Sequence, residues 1–427
     1  MSLVKNRNFM ILLSGQLVST AGNNLFGIAL PWYVYSLTGS KEALALTGIA
    51  QTVPAITGLF SGVMVDRWRK RATMMGSDGI RAILNFILFG AVLLKWPFST
   101  ILLMVLALET AGQFFGPASA ALFPLLVNED QVAAGSGLLQ SSNATAQLVG
   151  TVSGGALMAL LGAPLLFLFN GISFIASVVS LAFIRVRETI SPASQGSSGS
   201  LSHNEGRPLH RSQQGIKRFM QEWMQGVRLI TKSKFLLLVI ISALVTNASM
   251  APFDITMTAW VKGPMHGSAF YLGIINGGFF VGIIAGGLLL GTVAKRVPLR
   301  ALLVTGLVGI GASCAAFGLF RVVLTESLLA LFGGFFVGAL NGGLNATLIT
   351  LIPPSMRGRA MGLLGALSTF AMPLGMAVFG TLMIHISLQW VFALIGLLCA
   401  LSGLSLLLPV KDDKHLLSQP DSPSAGA

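Results

Sequence analysis

Gly62-Val63-Met64-Val65-Asp66-Arg67-Trp68-Arg69-Lys70-Arg71 lies between two apolar runs, at about 43–65 and about 72–94. Each run is long enough to cross a hydrocarbon core of roughly 30 Å as a helix rising about 1.5 Å per residue. The charged end of the decamer is therefore a tight turn between two membrane spans. Its four basic residues, Arg67, Arg69, Lys70 and Arg71, put that turn on the cytoplasmic side, because short loops rich in Lys and Arg are retained inside.

Composition agrees. Of 427 residues only 10% are charged and 54% are hydrophobic, and the mean hydropathy is +0.80. A soluble domain carries about 25% charged residues, so the chain is expected to be a polytopic membrane protein. The formal charge of +13 raises nucleic acid as a partner. Its distribution removes that reading, because the positive charges fall in alternate loops and leave no basic face. Cys314 and Cys399 both lie in apolar runs, which leaves neither a disulfide framework nor a zinc site. No cleavable signal is expected before the first span.

Apolar runs set against loop signals give twelve spans: about 8–36, 43–65, 72–94, 99–126, 132–160 and 164–185, then about 234–261, 268–294, 299–320, 325–352, 359–384 and 388–409. With the N-terminus inside, 22 of the 27 Lys and Arg residues lie in inner segments. Only Lys41, Lys95, Lys262 and Arg321 lie outside, and Arg81 is within a span. Both termini are thus expected in the cytoplasm, with the chain multi-pass in the inner (plasma) membrane.

The expected domains are an N-terminal six-helix bundle (1–187), a cytoplasmic linker (188–233), a C-terminal six-helix bundle (234–410) and a cytoplasmic tail (411–427). Residues 191–206 of the linker are rich in Ser and Gly. Residues 216–230 space Ile216, Phe219, Met220, Trp223, Met224, Val227 and Ile230 as one apolar helix face, an amphipathic segment for the membrane surface or a strut between bundles. Gly62-x3-Asp66-Arg67-x3-Arg71 matches Gly291-x3-Lys295-Arg296-x3-Arg300 at an offset of 229. Gly137, Gly150 and Gly155 match Gly362, Gly375 and Gly380 at an offset of 225. Two nearly equal offsets point to a duplicated six-helix unit, an architecture used by transporters. The fold expected is all-α and polytopic, with twelve transmembrane helices in two pseudo-symmetric six-helix bundles.

On these residues the chain resembles the major facilitator superfamily. The decamer is similar to its loop signature G-x-L-x-D-R-x-G-R-K: Gly62, Asp66 and Arg67 match, Lys70 and Arg71 match in charge, and Arg69 replaces the usual Gly. Asp66-Arg67-Trp68-x-Lys70-Arg71, Asp78-x-x-Arg81, Phe115-Gly116-Pro117, Arg357-Gly358-Arg359 and Pro373-Leu374-Gly375 resemble the macrolide-efflux-like branch of drug:proton antiporters. Gly150-Thr151-Val152-Ser153-Gly154-Gly155 is similar to the antiporter glycine motif, with Thr151 in the proline position. The resemblance implies alternating access and export.

An ionisable residue inside a span costs about 2.5–3.5 kcal/mol on insertion scales and normally faces an interior cavity. Glu109 is about ten residues from the outer end of span four, with Gln113 one turn on. It is a candidate for proton coupling, the alternative being a carboxyl permanently paired to a polar neighbour. Asp254, two residues after Pro252 in span seven and on a face with Asn247, is the second proton-coupling candidate, or a solvated gate edge. Asp78 and Arg81 can pair at i,i+3. With Gly62, Asp66, Arg67, Lys70 and Arg71 they form the expected inner gate, although the basic residues also serve topology alone. By the resemblance, Asp66 sits near a helix end in the outward-facing state. The expected substrate cavity takes Asn23, Asn24, Gln113, Asn143, Gln147, Asn247, Asn341 and Asn345, each of which can equally bond between helices.

No phosphate-binding loop, metal cluster or soluble catalytic domain is present in the sequence, so neither an enzyme nor a cofactor is expected. The reading is a proton-coupled exporter of amphipathic small molecules, drugs or antibiotics such as macrolides, working as a monomer in the lipid bilayer without nucleic acid. The alternatives are export of one metabolite, siderophore or lipid, and a non-transporting receptor or scaffold.

Overall fold

The computed structural model describes residues 3–186, 234–293, 297–351 and 357–408. The expected linker helix at 216–230, Lys295, Arg296, the tail and the side chain of Asn345 lie outside them. Every regular element among the described residues is a helix. Each expected span falls on one helix, on a broken pair or on part of a longer run. Span one is Arg7–Thr38, span two the pair Lys41–Thr52 and Ala55–Arg67, span three Lys70–Leu93, and span four the pair Phe98–Gly112 and Phe115–Leu122. Spans five and six form one run, Val132–Phe183, broken at Gly162. Span seven is the pair Lys234–Met250 and Phe253–Lys262. Ala269–Val293, Leu299–Ala316, Val323–Leu351, Arg357–His385 and Leu388–Ser405 are spans eight to twelve.

Local chemistry sets the ends. The Asn6 side chain accepts the Phe9 N–H at 3.2 Å, and Ser40 accepts that of Ala43 at 3.2 Å, so both helices start on a capping residue. Span one stops at Gly39 with φ 63°, and the turn between spans five and six needs Gly162 at φ 75°, conformations that strain a residue bearing Cβ. The signature turn needs none: Arg69 has φ −70° and ψ 115°, so an arginine fits where the family pattern has glycine. Spans two and seven break at Pro54 and at Ala251-Pro252 respectively, where a missing N–H interrupts the ladder.

The halves repeat each other in side-chain detail. Arg71 Nε and Nη2 donate to Leu181 O and Ala182 O at 2.7 and 2.6 Å, closing the end of span six. Arg300, 229 residues on, donates from Nε to Leu406 O at 2.5 Å and from Nη2 to Leu408 O, closing the end of span twelve. A guanidinium satisfies two orphan carbonyls at once and suits the negative end of a helix. Spans three and six pack together as spans nine and twelve do.

We call the face carrying Arg7 and the 67–70 turn the near face, and the opposite one the far face. Among the described residues, close contacts between the bundles gather toward the far face. Span five meets span eight where a Cβ on Gly155 would stand 2.5 Å from Gly273 Cα. Span two meets span eleven, with Gly48 under the Met376 sulfur and Ala45 against Gly380. Leu44 and Ile28 enter a common core with Ile255, Trp260, Met376 and Phe379 of the second bundle. Lys41 Nζ donates to Ile386 O at 3.3 Å, and Lys262 Nζ donates to Ser36 Oγ and stands 5.1 Å from the Trp32 ring centre. The seam is thus apolar inside and closed by two lysines on neutral acceptors.

The Gly155–Gly273 contact leaves no room for a side chain. Gly155→Val should force the far ends of spans five and eight apart, because a packed interface cannot absorb the added atoms without backbone movement. Spin labels on the exposed positions Leu161 and Phe270 should report a longer distance in Gly155→Val than in the unsubstituted chain. An unchanged distance would show that this contact does not limit closure.

Candidate functional site

Span three carries a polar row, Ser77, Asp78, Arg81 and Asn85, into the first bundle. Asp78 begins its third turn, about 12 Å above Lys70 at 1.5 Å per residue. Its carboxylate is fully buried, with Oδ1 3.4 Å from Arg81 Nη1 and the Ser177 hydroxyl beside it. Arg81 Nη2 donates to Asn23 Oδ1 of span one at 2.9 Å, and its guanidinium lies 4.0 Å from the Phe174 ring centre of span six. Glu109 of span four is half-buried and within electrostatic reach of the same guanidinium. Arg81 Nε is buried without a hydrogen-bond partner among the described residues, and Gly112, one turn beyond Glu109, is the residue that faces it. One arginine is therefore paired with one carboxylate and within electrostatic reach of a second from another helix.

Small residues and amides hold this cluster. A Cβ on Gly22 would stand 2.3 Å from Ser173 Oγ, so glycine is what lets span one reach span six. Asn85 donates to Arg81 O at 2.8 Å and accepts from Asn170 Nδ2 at 3.3 Å. Both amides are fully buried. In a lipid setting such bonds replace water, and the cost of leaving them unmade fixes the helices' rotation.

Immediately after Glu109 and Gly112, span four breaks at Gln113-Phe114. The helix that resumes at Phe115 forms one wall of a cavity of about 600 Å³ between spans one, four and five, on the near-face side. Gln16, Thr20, Ser119, Ser136, Gln140 and Asn143 supply its amides and hydroxyls, Phe115 and Phe123 its rings, and no charged side chain lines it among the described residues. Gln16 Nε2 bridges to Ser119 Oγ at 2.5 Å across it. A wall of this kind suits a neutral or weakly charged amphipathic guest.

The expected cavity residues divide. Asn143 lines this cavity, with Oδ1 taking the Thr20 hydroxyl at 3.4 Å. Asn23 does not, being bound to Arg81. Asn24 is spent between helices: it donates to Thr20 O at 2.8 Å and accepts from Thr151 at 3.4 Å. Gln113 Nε2 turns back to Glu109 O at 3.4 Å, and Asn247 Nδ2 to Ala243 O at 2.9 Å. Gln147 and Asn341 are exposed. Asp254 opens the second piece of span seven and is exposed, its carbonyl taking the Thr258 hydroxyl at 2.9 Å.

The expected near-face gate is placed differently. Asp78 and Arg81 do not join Asp66 and Arg67 in one network; they lie deeper and turn to spans one, four and six, because their own bundle supplies the partners. Asp66 and Arg67 are exposed, and Gly62 faces open space. Lys70 Nζ bonds within the turn to Asp66 O and Trp68 O at 2.9 and 3.1 Å, while Arg71 closes span six. Trp68 stacks on Phe114 with ring centres 5.9 Å apart, linking the turn to the break in span four. Sequence reasoning missed Glu326, fully buried in the first turn of span ten, because it begins an apolar run and reads as a boundary residue. It also missed Lys41 and Lys262, whose seam partners come from the other bundle.

Among known proteins, the chain is similar to macrolide efflux protein A of Streptococcus pyogenes, with 24% identity over 412 residues covering 91% of this chain and 93% of the relative. It is also similar to the multidrug efflux pump Tap of Mycobacterium tuberculosis, with 24% identity over 429 residues covering 96% of each. A solved structure of a bacterial homologue of the iron transporter ferroportin, in an inward-facing state, shares the fold with a TM-score of 0.69 at 18% identity, over 96% of this chain and all of that one. The family model of the Major Facilitator Superfamily matches residues 12–262 and 239–424. The chain belongs to the Major Facilitator Superfamily and is a multi-pass membrane transporter, not an enzyme.

Proposed function

We propose that this protein is a proton-coupled exporter of amphipathic small molecules, drugs or antibiotics such as macrolides, working by alternating access. The observation that carries the proposal is Arg81, paired with Asp78 and within electrostatic reach of Glu109, which lies on the span whose continuation beyond the Gln113-Phe114 break forms a cavity wall. One guanidinium balances one carboxylate. The second needs a proton to be neutral in a membrane interior. With a proton on Glu109, Arg81 belongs to Asp78 and Asn23. Without it, Glu109 competes for Arg81 and draws span four toward span three. The break at Gln113-Phe114 passes that movement to Phe115 and Ser119, so that proton and guest compete through one helix. This competition is what antiport requires, since a ligand shifts an equilibrium only by binding its two states unequally.

The direction and the cargo rest on the relatives, whose names are those of efflux proteins, and on the uncharged amide- and ring-lined cavity. In this reading the near face is cytoplasmic, in the inner (plasma) membrane, with both termini inside. The far-face seam then makes the present arrangement inward-facing. Residues 1–187 and 234–410 are the two moving bundles, joined by 188–233 and followed by a tail from 411. Asp254, at the proline break of span seven and opposite no cation within ion-pair distance among the described residues, is the second proton candidate. Asp66 and Arg67 remain free for the second bundle when the near face closes. The protein acts as a monomer.

The deciding measurement is efflux from energised cells or inverted vesicles over a panel of hydrophobic antibiotics, with and without an uncoupler. The unsubstituted protein should extrude compounds in an uncoupler-sensitive way, and Glu109→Gln at equal expression should not. Normal transport by Glu109→Gln would make Glu109 structural and pass its role to Asp254. No transported compound at all would favour the metabolite exporter or receptor.

The ion pair has its own test in melting curves of the purified protein in detergent. Arg81→Ala leaves Asp78 buried and uncompensated, a loss of about 3–5 kcal/mol. The double variant Asp78→Asn/Arg81→Gln keeps shape and removes both charges, so it should melt well above Arg81→Ala. Equal melting of the two would mean that charge balance is not what holds this site.

A further inference from the structure

Glu326 is a carboxyl buried completely in the second bundle and used by no step above. Its Oε1 accepts two N–H groups from different elements: Trp260 Nε1 of span seven at 3.1 Å and the Gly318 backbone at 3.3 Å. Gly318 has φ 83°, and its carbonyl accepts Gln389 Nε2 of span twelve at 3.0 Å. Trp260 sets its edge on Phe392 of span twelve, ring centres 6.2 Å apart at 88°. One oxygen thus holds span seven, span ten and the turn before span ten to one another, and through Gly318 to span twelve.

What it holds is the far piece of span seven. Phe253–Lys262 is cut from the rest of its span by Pro252, and Ile255 to Val261 are all buried. Two residues after Trp260, Lys262 leaves this piece for the other bundle and meets Ser36 and Trp32 of span one. Gly263 follows, with the Tyr35 hydroxyl beside it. The chain of contact runs from Glu326 through Trp260 to Lys262 and across the seam. A short helix separated by a proline break has only its neighbours to fix its rotation, and the Trp260 N–H is the one hydrogen bond from its side chains to another span of its own bundle among the described residues, Thr256 and Thr258 bonding back within span seven.

We infer that Glu326 is a positioning residue for transport: by accepting the Trp260 and Gly318 N–H groups it fixes the far piece of span seven so that Lys262 closes the far-face seam. The inference rests on the alternating-access reading for its role in transport. Its geometry stands apart from that reading and is tested without a substrate.

The experiment places a reporter cysteine at Ala45, which is buried in the seam against Gly380. Labelling of Ala45→Cys by a membrane-impermeant maleimide added at the far face is compared in the full chain carrying Glu326→Gln, Glu326→Ala or Trp260→Phe. Gln keeps an oxygen acceptor, so Glu326→Gln should stay as protected as the parent. Glu326→Ala removes the acceptor and Trp260→Phe the donor while keeping the ring on Phe392. Each should label about tenfold faster, the scale expected when a buried hydrogen bond is lost. Slow labelling in Trp260→Phe overturns the inference, because the bond then does not hold the seam. Fast labelling in Glu326→Gln equal to that in Glu326→Ala also overturns it, because charge and not acceptor geometry would be at work. Efflux measured on the same cells separates the two readings: unchanged labelling with normal efflux sinks only the role of Glu326, whereas the expected labelling pattern in a chain that exports nothing keeps that role and sinks the exporter.

Discussion

Arg81 is a permanent positive charge in the middle of a helix bundle that spans a membrane, and the first bundle is built to meet it. A guanidinium offers five donors in a fixed plane and does not give up its proton, so its surroundings must supply acceptors on more than one side. Asp78 comes from its own helix, Asn23 from span one, the Phe174 face from span six and the Glu109 charge from span four. Three helices are therefore held in rotation around one side chain, with Glu109 of a fourth within its electrostatic reach. The glycines follow from the same demand, since Gly22 and Gly112 are where the helices must come close for these groups to meet.

The second bundle repeats the helix arrangement without repeating that charge. Its described interior is largely apolar, with Trp260, Phe336 and Phe392 in or against its core and Phe253, Phe279 and Phe317 beside a void of only about 20 Å³. Its buried acid, Glu326, lies at the far end and holds an indole and a backbone turn instead of an arginine. What the duplication kept is the device that closes a helix end: Arg71 and Arg300 perform the same double donation in register. Topology and helix ends are thus shared between the halves, while the buried charge cluster and the cavity beside it belong to the first bundle alone among the described residues.

The fold was largely legible because membrane spans are written in composition. Length, apolar runs and loop charge put every span within a few residues of its helix, and the gap left between the runs at about 132–160 and 164–185 holds the Gly162 break. The candidate site was legible only in part, because a polar residue in a span announces that it needs a partner and not which partner it takes. Asn23 and Asn143 read alike as cavity residues; the first is consumed by Arg81 and the second faces open space. Asp78 and Arg81 read as companions of Asp66 because they are near in sequence, yet three-dimensional neighbours from spans one and four outweigh them. Glu326 was hidden for the opposite reason. At the start of an apolar run it looks like an interface residue, and only the fold brings Trp260 over it.

The two faces of the molecule consequently close by different means. At the near face Lys70 bonds to carbonyls of its own turn and Arg71 to those of span six, so both stabilise one bundle, while Asp66 and Arg67 are exposed. At the far face the seam is packed glycine to glycine and is rimmed by Lys41 and Lys262 on a carbonyl, a hydroxyl and an indole. A lysine on neutral acceptors gives up little when it returns to water, whereas a buried ion pair would be costly to part. An apolar seam with such a rim can open and close repeatedly, while the strong pairing of opposite charges is confined within one bundle, where the helices need not separate. In the proposed mechanism, that division would let a change of one proton at Glu109 act on a cavity wall without having to break the contacts that hold either bundle together.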